Sequence, residues 1–482
     1  GDEIFGGYST RRLKGVFPKL LPSDYSGARA AYSLRKVRSG YPKSLPANYG
    51  DGAAAAYSLR RVNAAYNGPA IKVRRSSDDT EQDIGFIDIG GLDTTALTTF
   101  VNADVTKADT NFSSGFADTN ESGFDRLANQ SIGGRSGVLK GTIQATTEEH
   151  RLFFSAVDAG GKTHRLQTSI YIPSGQSGQT VDGFRIENGG LEVYATTTTK
   201  DAWVDIDVTW SSSSNANLFI KFLPSGGAEN WTGNGTDEVY IGDVTITQTT
   251  ADGAVTTWYD QSGNGNSATN STESEQPLVV NAGTLVEENG KAAIEFDGNW
   301  LTTTYSLPST FSTFSVAKSN FAKTFESLMG SDDVFDDWIW QLFRDDKFKL
   351  RPDSGSYYEG SVLSPQQYLI DVIYNGDLNA HIDGSSYISQ SSVSLPSPFG
   401  NLQIGTVDAS PTYTLDGKIQ EIVLFDSDQS DNRPFIEENI NVYYDIYAQD
   451  EWDKESAIKV RRSSDDAVQD IGFVGTELDT TS

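Results

Sequence analysis

The 482-residue sequence contains no cysteine and only three histidines. The missing cysteines exclude disulfide bonds, iron–sulfur clusters, cysteine-ligated zinc and a cysteine nucleophile. His150, His164 and His381 have no spacing typical of metal ligands, which argues against a histidine-based metal site. No apolar stretch approaches the length of about 18 residues that a membrane-spanning helix needs. We therefore expect no membrane insertion.

Basic residues are scarce and unevenly placed. The chain has 37 Lys and Arg against 66 Asp and Glu, a formal net charge of −29. Residues 1–75 hold 14 basic against 4 acidic residues, whereas the remainder holds 23 against 62. An acidic body argues against a nucleic-acid partner, because Lys and Arg hold phosphate backbones. It argues equally against docking on anionic lipid. The basic residues 1–56 are predicted to form an extended or short-helical arm that docks on partner proteins.

Hydrophobic residues make up only 37% of the chain, but 21 Tyr, 24 Phe and 8 Trp provide enough apolar surface for a core. Apolar and polar residues alternate in short runs across about 113–248 and again across 276–446, with Gly, Ser and Asn between the runs. Period-2 alternation with such turns predicts an all-β protein built from two β-sandwiches. One helix is predicted near residues 431–447, with Pro434 in its first turn.

Two repeats divide the chain. The sequence AAYSLRK at residues 30–36 recurs as AAYSLRR at residues 55–61. Each copy of this AYSLR repeat has the composition of a short helix that ends in basic residues. Residues 70–86 return as 457–473 with 15 of 17 positions identical. We therefore interpret 448–482 as a linker and the start of a repeated module.

The basic pairs of these repeats are candidates for contacts with a partner subunit. An equally supported alternative is a strand followed by an aspartate-capped turn with local ion pairs, each of which contributes little stability. The candidate assembly residues are Arg35, Arg60, Arg61, Arg74, Arg75, Arg461 and Arg462.

Residues 57–79, the segment VTTWYDQSGNGN at 255–266, and the tract 405–440 together resemble the catalytic module of glycoside hydrolase family 54, the α-L-arabinofuranosidases. The resemblance implies a concanavalin A-like β-sandwich formed by 57–112 and 249–447. The intervening residues 113–248 resemble an inserted jelly roll of the carbohydrate-binding-module type.

The chain departs from that family at the catalytic residues. It lacks the family's cysteines, and the strand 338–343 has no carboxylate where the family's glutamate nucleophile would stand. Asp408 falls where the family's acid/base aspartate would lie. Retaining hydrolysis needs two carboxylates about 5–5.5 Å apart, and only Asp408 is a candidate. A secreted arabinofuranosidase is therefore the alternative hypothesis rather than the main one.

The cysteine-free arrangement of repeated YSLR and RRSSD blocks also resembles virion and tail-fibre proteins of bacteriophages. This resemblance implies a structural component of the particle, such as a fibre, appendage or decoration protein. It further implies a location on the virion surface, other virion proteins and copies of itself as partners, and adhesion to host-surface glycans.

Aromatic side chains on polar loops are candidates for stacking on sugar rings. These ligand-binding candidates are Trp231, Trp300, Tyr357 and Tyr358. Asp260 begins a loop of Asp, Gln, Ser and Asn oxygens that suits Ca²⁺. The alternative interpretation is a tight turn, which the Ser-Gly and Asn-Gly pairs favour. No other cofactor is expected.

Overall fold

The computed structural model describes residues 52–88, 90–113, 124–143, 150–154, 160–176, 183–188, 191–196, 199–211, 217–223, 234–331, 340–352, 357–395, 400–407 and 411–448. It also describes the backbone of six short strands, at 7–9, 31–33, 458–461, 468–471, 473–474 and 477–478. Strands dominate these residues, as the sequence predicts, and the all-β prediction is confirmed.

Among the described elements, nine strands and one helix come before residue 105 or after residue 448, and two short helical turns lie between those limits. The first are β1 (Gly7–Ser9), β2 (Ala31–Ser33), β3 (Ala55–Ser58), β4 (Ile71–Arg75), β5 (Glu81–Ile84) and α1 (Thr94–Val101). The last are β35 (Ile458–Arg461), β36 (Val468–Ile471), β37 (Phe473–Val474) and β38 (Glu477–Leu478). The helical turns are Glu273–Glu275 and Pro411–Tyr413.

A first β-rich body forms two antiparallel sheets that share one hydrophobic core. Phe112, Leu152, Leu166, Trp210 and Ile246 are buried in that core. Its strands are β6 (Val105–Thr110), β7 (Phe124–Ile132), β8 (Arg135–Ile143), β9 (His150–Phe154), β10 (Thr163–Tyr171), β11 (Gly183–Asn188), β12 (Leu191–Thr196), β13 (Trp203–Ser211), β14 (Leu218–Leu223), β15 (Glu238–Ile241) and β16 (Val244–Gln248).

A second β-rich body follows, closed by one helix. Its elements are β17 (Gly253–Trp258), β18 (Ala268–Thr269), β19 (Leu278–Asn281), β20 (Thr284–Leu285), β21 (Glu287–Glu288), β22 (Lys291–Ala292), β23 (Ile294–Asp297), β24 (Leu301–Ser306), β25 (Phe311–Ser319), β26 (Glu326–Ser331), β27 (Trp340–Arg344), β28 (Lys347–Arg351), β29 (Tyr358–Glu359), β30 (Gln367–Tyr374), β31 (Leu378–Ile382), β32 (Ser385–Gln390), β33 (Asn401–Ile404), β34 (Asp416–Phe425) and α2 (Arg433–Tyr444).

Nineteen strands of this second body, with β3, β4 and β5 among them, form one curled antiparallel network. Its inner face encloses the main core, in which Tyr57, Trp258, Phe296, Phe311 and Phe348 are buried. Inner and outer residues alternate along each strand, because successive side chains of a strand point to opposite faces. The outer face is therefore polar wherever no other element covers it.

Helix α2 covers part of that outer face. Ile436, Ile440 and Tyr444 follow one another at four-residue spacing and pack on Phe314 and Leu369 of the sheet. Strand β30, which lies between this helix and the main core, is buried at every position. The predicted helix is thus present, and it buries an apolar stripe as its spacing indicates.

The structure corrects one local expectation and adds one element. The second AYSLR repeat begins with strand β3 rather than with a helix, because Ala55 and Tyr57 are buried in the main core beside β34. Helix α1 is not predicted from the sequence. It begins after Asp93, whose carboxylate accepts a hydrogen bond from the Ala96 amide.

Both copies of the long repeat form the same hairpin. In the first copy Ile71 lies opposite Ile84, and in the second copy Ile458 lies opposite Ile471. The first hairpin is joined to the main sheet through β17, where Val73 pairs with Val255.

Candidate functional site

A row of polar side chains crosses the outer face of the main sheet. Lys72 lies opposite Thr257, Thr257 opposite Thr269, Thr269 opposite Thr302, and Thr302 opposite Gln403. The five residues come from five adjacent strands, β4, β17, β18, β24 and β33. At the usual strand spacing the row is about 19 Å long. We call it the polar row.

The polar row lies along an open groove with a volume of about 850 Å³. Hydroxyl, amide, carboxylate and ammonium groups line it, together with one indole ring. A neighbouring cavity of about 430 Å³ shares Arg74, Glu273 and Gln276 with the groove and extends the polar surface. Lys72, Thr257, Thr269 and Thr302 of the polar row line the groove, whereas Gln403 does not. The other lining residues are Arg74, Asp79, Glu81, Thr256, Asn270, Ser271, Glu273, Glu275, Gln276 and Trp300.

Two groove residues are ones that the sequence singles out. Trp300 is 6% exposed and forms part of the wall, and its backbone carbonyl accepts a hydrogen bond from the Asn270 amide at 2.9 Å. Arg74 is held by the Gln276 side chain at 2.9 Å and by Asp79 at 2.7 Å. The Arg74 side chain is thus held in place before any ligand binds, and burial restrains the ring of Trp300.

The polar row ends on a buried amide with an unused donor. Gln403 is fully buried, and its Oε1 accepts a hydrogen bond from the Thr302 hydroxyl at 3.0 Å. Within the described part of the chain, its Nε2 has no hydrogen-bond partner. Buried polar groups are nearly always paired, so this donor is an exception at the end of a row of hydroxyl groups.

The other aromatic candidates lie elsewhere or outside the described residues. Tyr357 and Tyr358 are half-buried beside strand β28, and Tyr358 pairs with Leu350. Trp231, like Asp408, lies outside the residues that the structure describes. Their roles as a sugar platform and as an acid/base therefore stay predictions.

The candidate assembly arginines occupy several environments. Arg60 is fully buried, and its guanidinium forms an ion pair with Glu421 at 2.7 Å. Arg61 is half-buried, with its guanidinium 5.3 Å from the centroid of the Phe86 ring. Arg35 and Arg462 lie outside the described residues, and only the backbone of Arg461 is described.

Arg74 and Arg75 make the local ion pairs of the hairpin-turn interpretation. Arg74 pairs with Asp79, and Arg75 pairs with Asp78, both at 2.7 Å. The hydrogen bonds from Arg75 lower the pKa of Asp78 to about 2. A second role of these arginines in assembly stays a prediction.

The loop that begins at Asp260 is tied to the sheet by its own carboxylate. Asp260 Oδ1 accepts hydrogen bonds from the amides of Ala56 and Ser262, at 2.9 and 2.8 Å. Its Oδ2 accepts from the Ser262 hydroxyl and the Asn266 amide, at 2.8 and 3.0 Å. This is the geometry that the turn interpretation predicts, and calcium binding here stays a prediction. Among the described residues, no group of three or more His, Asp or Glu side chains is placed to hold a metal ion.

Sequence reasoning missed a buried carboxyl pair beneath helix α2. Asp371 on β30 is fully buried, and Glu437 on α2 is 4% exposed. Burial raises the pKa of Asp371 to about 7 and, with the proximity of Asp371, raises that of Glu437 to about 8. The His381 Nδ1 lies 2.8 Å from Asp371 Oδ1, and Arg433 donates to Glu437 at 2.7 Å. Glu437 falls within the helix predicted near residues 431–447, but nothing in the sequence places it beside Asp371.

No protein-family model matches the sequence, and no curated protein is similar enough to count as a relative. Solved structures give partial matches. A mutant of the NanB sialidase from Streptococcus pneumoniae is 12% identical with a TM-score of 0.26, over 30% of this chain and 26% of that one. The match thus spans about a quarter of that sialidase.

Two other solved domains match with similarly low identity and TM-score. The CBM40 of the Ruminococcus gnavus IT-sialidase, with sialyllactose bound, is 11% identical over 26% of this chain and 80% of that one, with a TM-score of 0.23. The binding domain of botulinum neurotoxin serotype D is 13% identical over 40% and 49%, with a TM-score of 0.29. Similarity at this level assigns neither a family nor a ligand. Of the helices described, none is long and apolar enough to cross a membrane.

Proposed function

We propose that this protein binds a glycan chain in the groove along the polar row. The observation that carries the proposal is the row itself, Lys72, Thr257, Thr269, Thr302 and Gln403, held in register by five strands. Sugar hydroxyls both donate and accept hydrogen bonds, as do threonine hydroxyls and glutamine amides. A rigid row of such groups suits a ligand with hydroxyls repeated along its length.

Two further features support a glycan over an apolar ligand. One is an aromatic residue in the lining, Trp300, which is 6% exposed and offers a small apolar contact to a sugar ring. The other is its lining of carboxylate side chains, among them Glu273 and Glu275, which can accept hydrogen bonds from sugar hydroxyls. A predominantly apolar ligand would leave the groove's polar groups unpaired, which costs free energy.

The groove proposal is tested by filling the groove from an exposed position. Thr269 is exposed, so Thr269→Arg places a long side chain across the polar row without disturbing the core. We expect binding to the best neutral glycan of an array to weaken at least tenfold, measured by calorimetry on the full chain. Thr284→Arg, at an exposed strand position outside the groove lining, is the matched control and should bind like the original protein.

Either of two results would count against the groove. One is an array on which the protein retains no glycan, and the other is a Thr269→Arg variant that binds as tightly as the original. Circular dichroism of both threonine variants checks that the fold is intact.

We also propose that the protein acts as a structural adhesin on a bacteriophage particle, with the groove facing host-surface glycans. The division of charge supports this proposal, since a basic arm precedes an acidic body that carries the groove. In this proposal the arm docks on other virion proteins or on further copies of the chain. Detection of the chain in purified particles by mass spectrometry tests it, and a chain found only as free secreted protein would overturn it.

A further inference from the structure

Three cationic groups surround the ring of Tyr357. The side-chain charges of Arg344, Lys349 and Arg351 lie 5.2, 5.9 and 5.6 Å from the centroid of that ring. These distances are within the range of cation–π attraction. Such a concentration of positive charge is unusual in a chain with a net charge of −29. We call these four residues the Tyr357 cluster.

The hairpin of β27 and β28 creates the cluster. It turns at Asp345 and Asp346, which have φ angles of +54° and +55°, as the mirror-image hairpin turn requires. Along β28, Phe348 and Leu350 are buried in the main core, so Lys349 shares the other face with Arg351.

Lys347 and Lys349 are already held in short ion pairs, whereas the side chain of Arg344 is 28% exposed and has only a long ion pair among the described residues. Lys349 lies 2.7 Å from both Asp345 and Glu359, and Lys347 lies 2.6 Å from Glu359. Hydrogen bonds from these two lysines lower the pKa of Glu359 to about 2.

By contrast, the ion pair between Arg344 and Asp345 is 3.5 Å long. This contact is made by the Nε of Arg344, which is buried and, among the described residues, has no hydrogen-bond partner. The exposed 28% of the side chain therefore does not include Nε. The guanidinium lies 4.0 Å from the centroid of Phe325, a contact that holds it in place.

We propose that the Tyr357 cluster binds the acidic group of a saccharide, a carboxylate or a sulfate. The planar guanidinium of Arg344 offers paired donors that match the oxygens of such a group. The ring of Tyr357 lies beside it and can contact the sugar ring that carries the acid. This inference rests on the proposed glycan-binding function but places a second, charge-selective site on residues separate from the groove.

The site is tested with two pairs of probes that differ in charge. Galacturonic acid oligomers are compared with their methyl esters, and dextran sulfate is compared with dextran, by calorimetry on the full chain. We expect at least one acidic probe to bind at least tenfold tighter than its neutral counterpart, and added salt to reduce the difference.

Three substitutions locate the binding. Arg344→Gln should lose the preference for the acidic probe, whereas Arg165→Gln, which removes an exposed arginine of the other β-rich body, should keep it. Asp345→Asn removes the carboxylate that competes for Arg344 and should tighten acidic binding several-fold. Asparagine tolerates the positive φ of this position, and Lys349 keeps Glu359 as a partner.

Equal binding of acidic and neutral probes, or no binding of either acid, would overturn the inference. So would an Arg344→Gln variant that retains the preference while unfolding at the same temperature as the original. Because the Thr269→Arg variant changes only the groove, the loss of acidic preference caused by Arg344→Gln should be the same in its presence as in its absence. The experiments therefore distinguish failure of the groove proposal from failure of the proposal for the Tyr357 cluster.

Discussion

At the scale of single residues, the most demanding position is Arg60, a fully buried cation. Its Nε and Nη2 donate to the two carboxylate oxygens of Glu421 at 2.7 and 2.8 Å. Glu421 also accepts from the hydroxyl of Ser58 at 2.7 Å and of Tyr444 at 3.2 Å. Every charge in this group is compensated, which is the condition under which a buried pair is tolerated.

Removing only the cation should therefore destabilise the folded chain strongly. We expect Arg60→Ala to lower the free energy of unfolding by about 3–5 kcal/mol, because Glu421 would remain as an unpaired buried charge. The double variant Arg60→Met, Glu421→Leu should be substantially more stable than the single one. Urea unfolding of both measures the difference, and a single variant within about 1 kcal/mol of the original would contradict the expectation.

At the scale of elements, helix α2 is fixed to the sheet by an apolar stripe and by the carboxyl pair Asp371 and Glu437. His381, Asp383, Arg433 and Tyr447 also face this pair. Burial raises the pKa of Asp383 to about 6, in the same direction as the pair, and burial lowers the pKa of His381.

The direction of these shifts gives a pH dependence. The folded chain keeps carboxyl protons that the unfolded chain releases above about pH 4, so the free energy of unfolding should fall as pH rises from about 4 to 8. His381 opposes this trend near its unfolded pKa, because there the unfolded chain binds more protons. Three carboxyls outweigh one imidazole, and the net slope should be negative.

Glu437→Gln tests this account. Glutamine keeps the size of the side chain but cannot ionise, so the fall in stability should flatten by up to about 1.4 kcal/mol per pH unit. The control Asp431→Asn, at an exposed position just before the helix, should keep the original slope. Thermal unfolding between pH 5 and pH 8 measures all three chains, and an unchanged slope in Glu437→Gln would rule the account out.

Elements were predictable from the sequence where the signal is local. Alternating runs predict the strands, and Pro434 in the first turn predicts α2. Both copies of the AYSLR repeat have helical composition, but each begins with a strand, β2 or β3. In β3, burial against β34 overrides helical propensity.

The groove and the Tyr357 cluster depend on contacts between distant residues. Thr257, Thr269, Thr302 and Gln403 form a row only through strand register, which no local pattern sets. Trp300, Tyr357 and Arg74 were identifiable as candidates, but their neighbours were not.

At the scale of the whole molecule, the uneven charge is the property that the proposed particle role depends on. The strongly acidic body repels other acidic bodies, while the basic arm of residues 1–56 is attracted to them. Attraction between solvent-exposed charges weakens as salt shortens the screening length, from about 30 Å at 0.01 M to about 8 Å at 0.15 M. Association through the arm should therefore depend on salt.

We expect the full chain to form oligomers in 10 mM salt that dissociate by 500 mM, as measured by light scattering. Removing four positive charges from the arm should weaken this association, because the arm supplies the attraction. Removing four positive charges from the body makes the body more acidic, so association through the arm should be preserved or strengthened. Loss of association in both variants, or association that does not respond to salt, would exclude the arm as the docking element. The arm variant replaces Arg29, Arg35, Lys36 and Arg38 with glutamine, and the body control does so at Arg135, Arg151, Arg165 and Lys347.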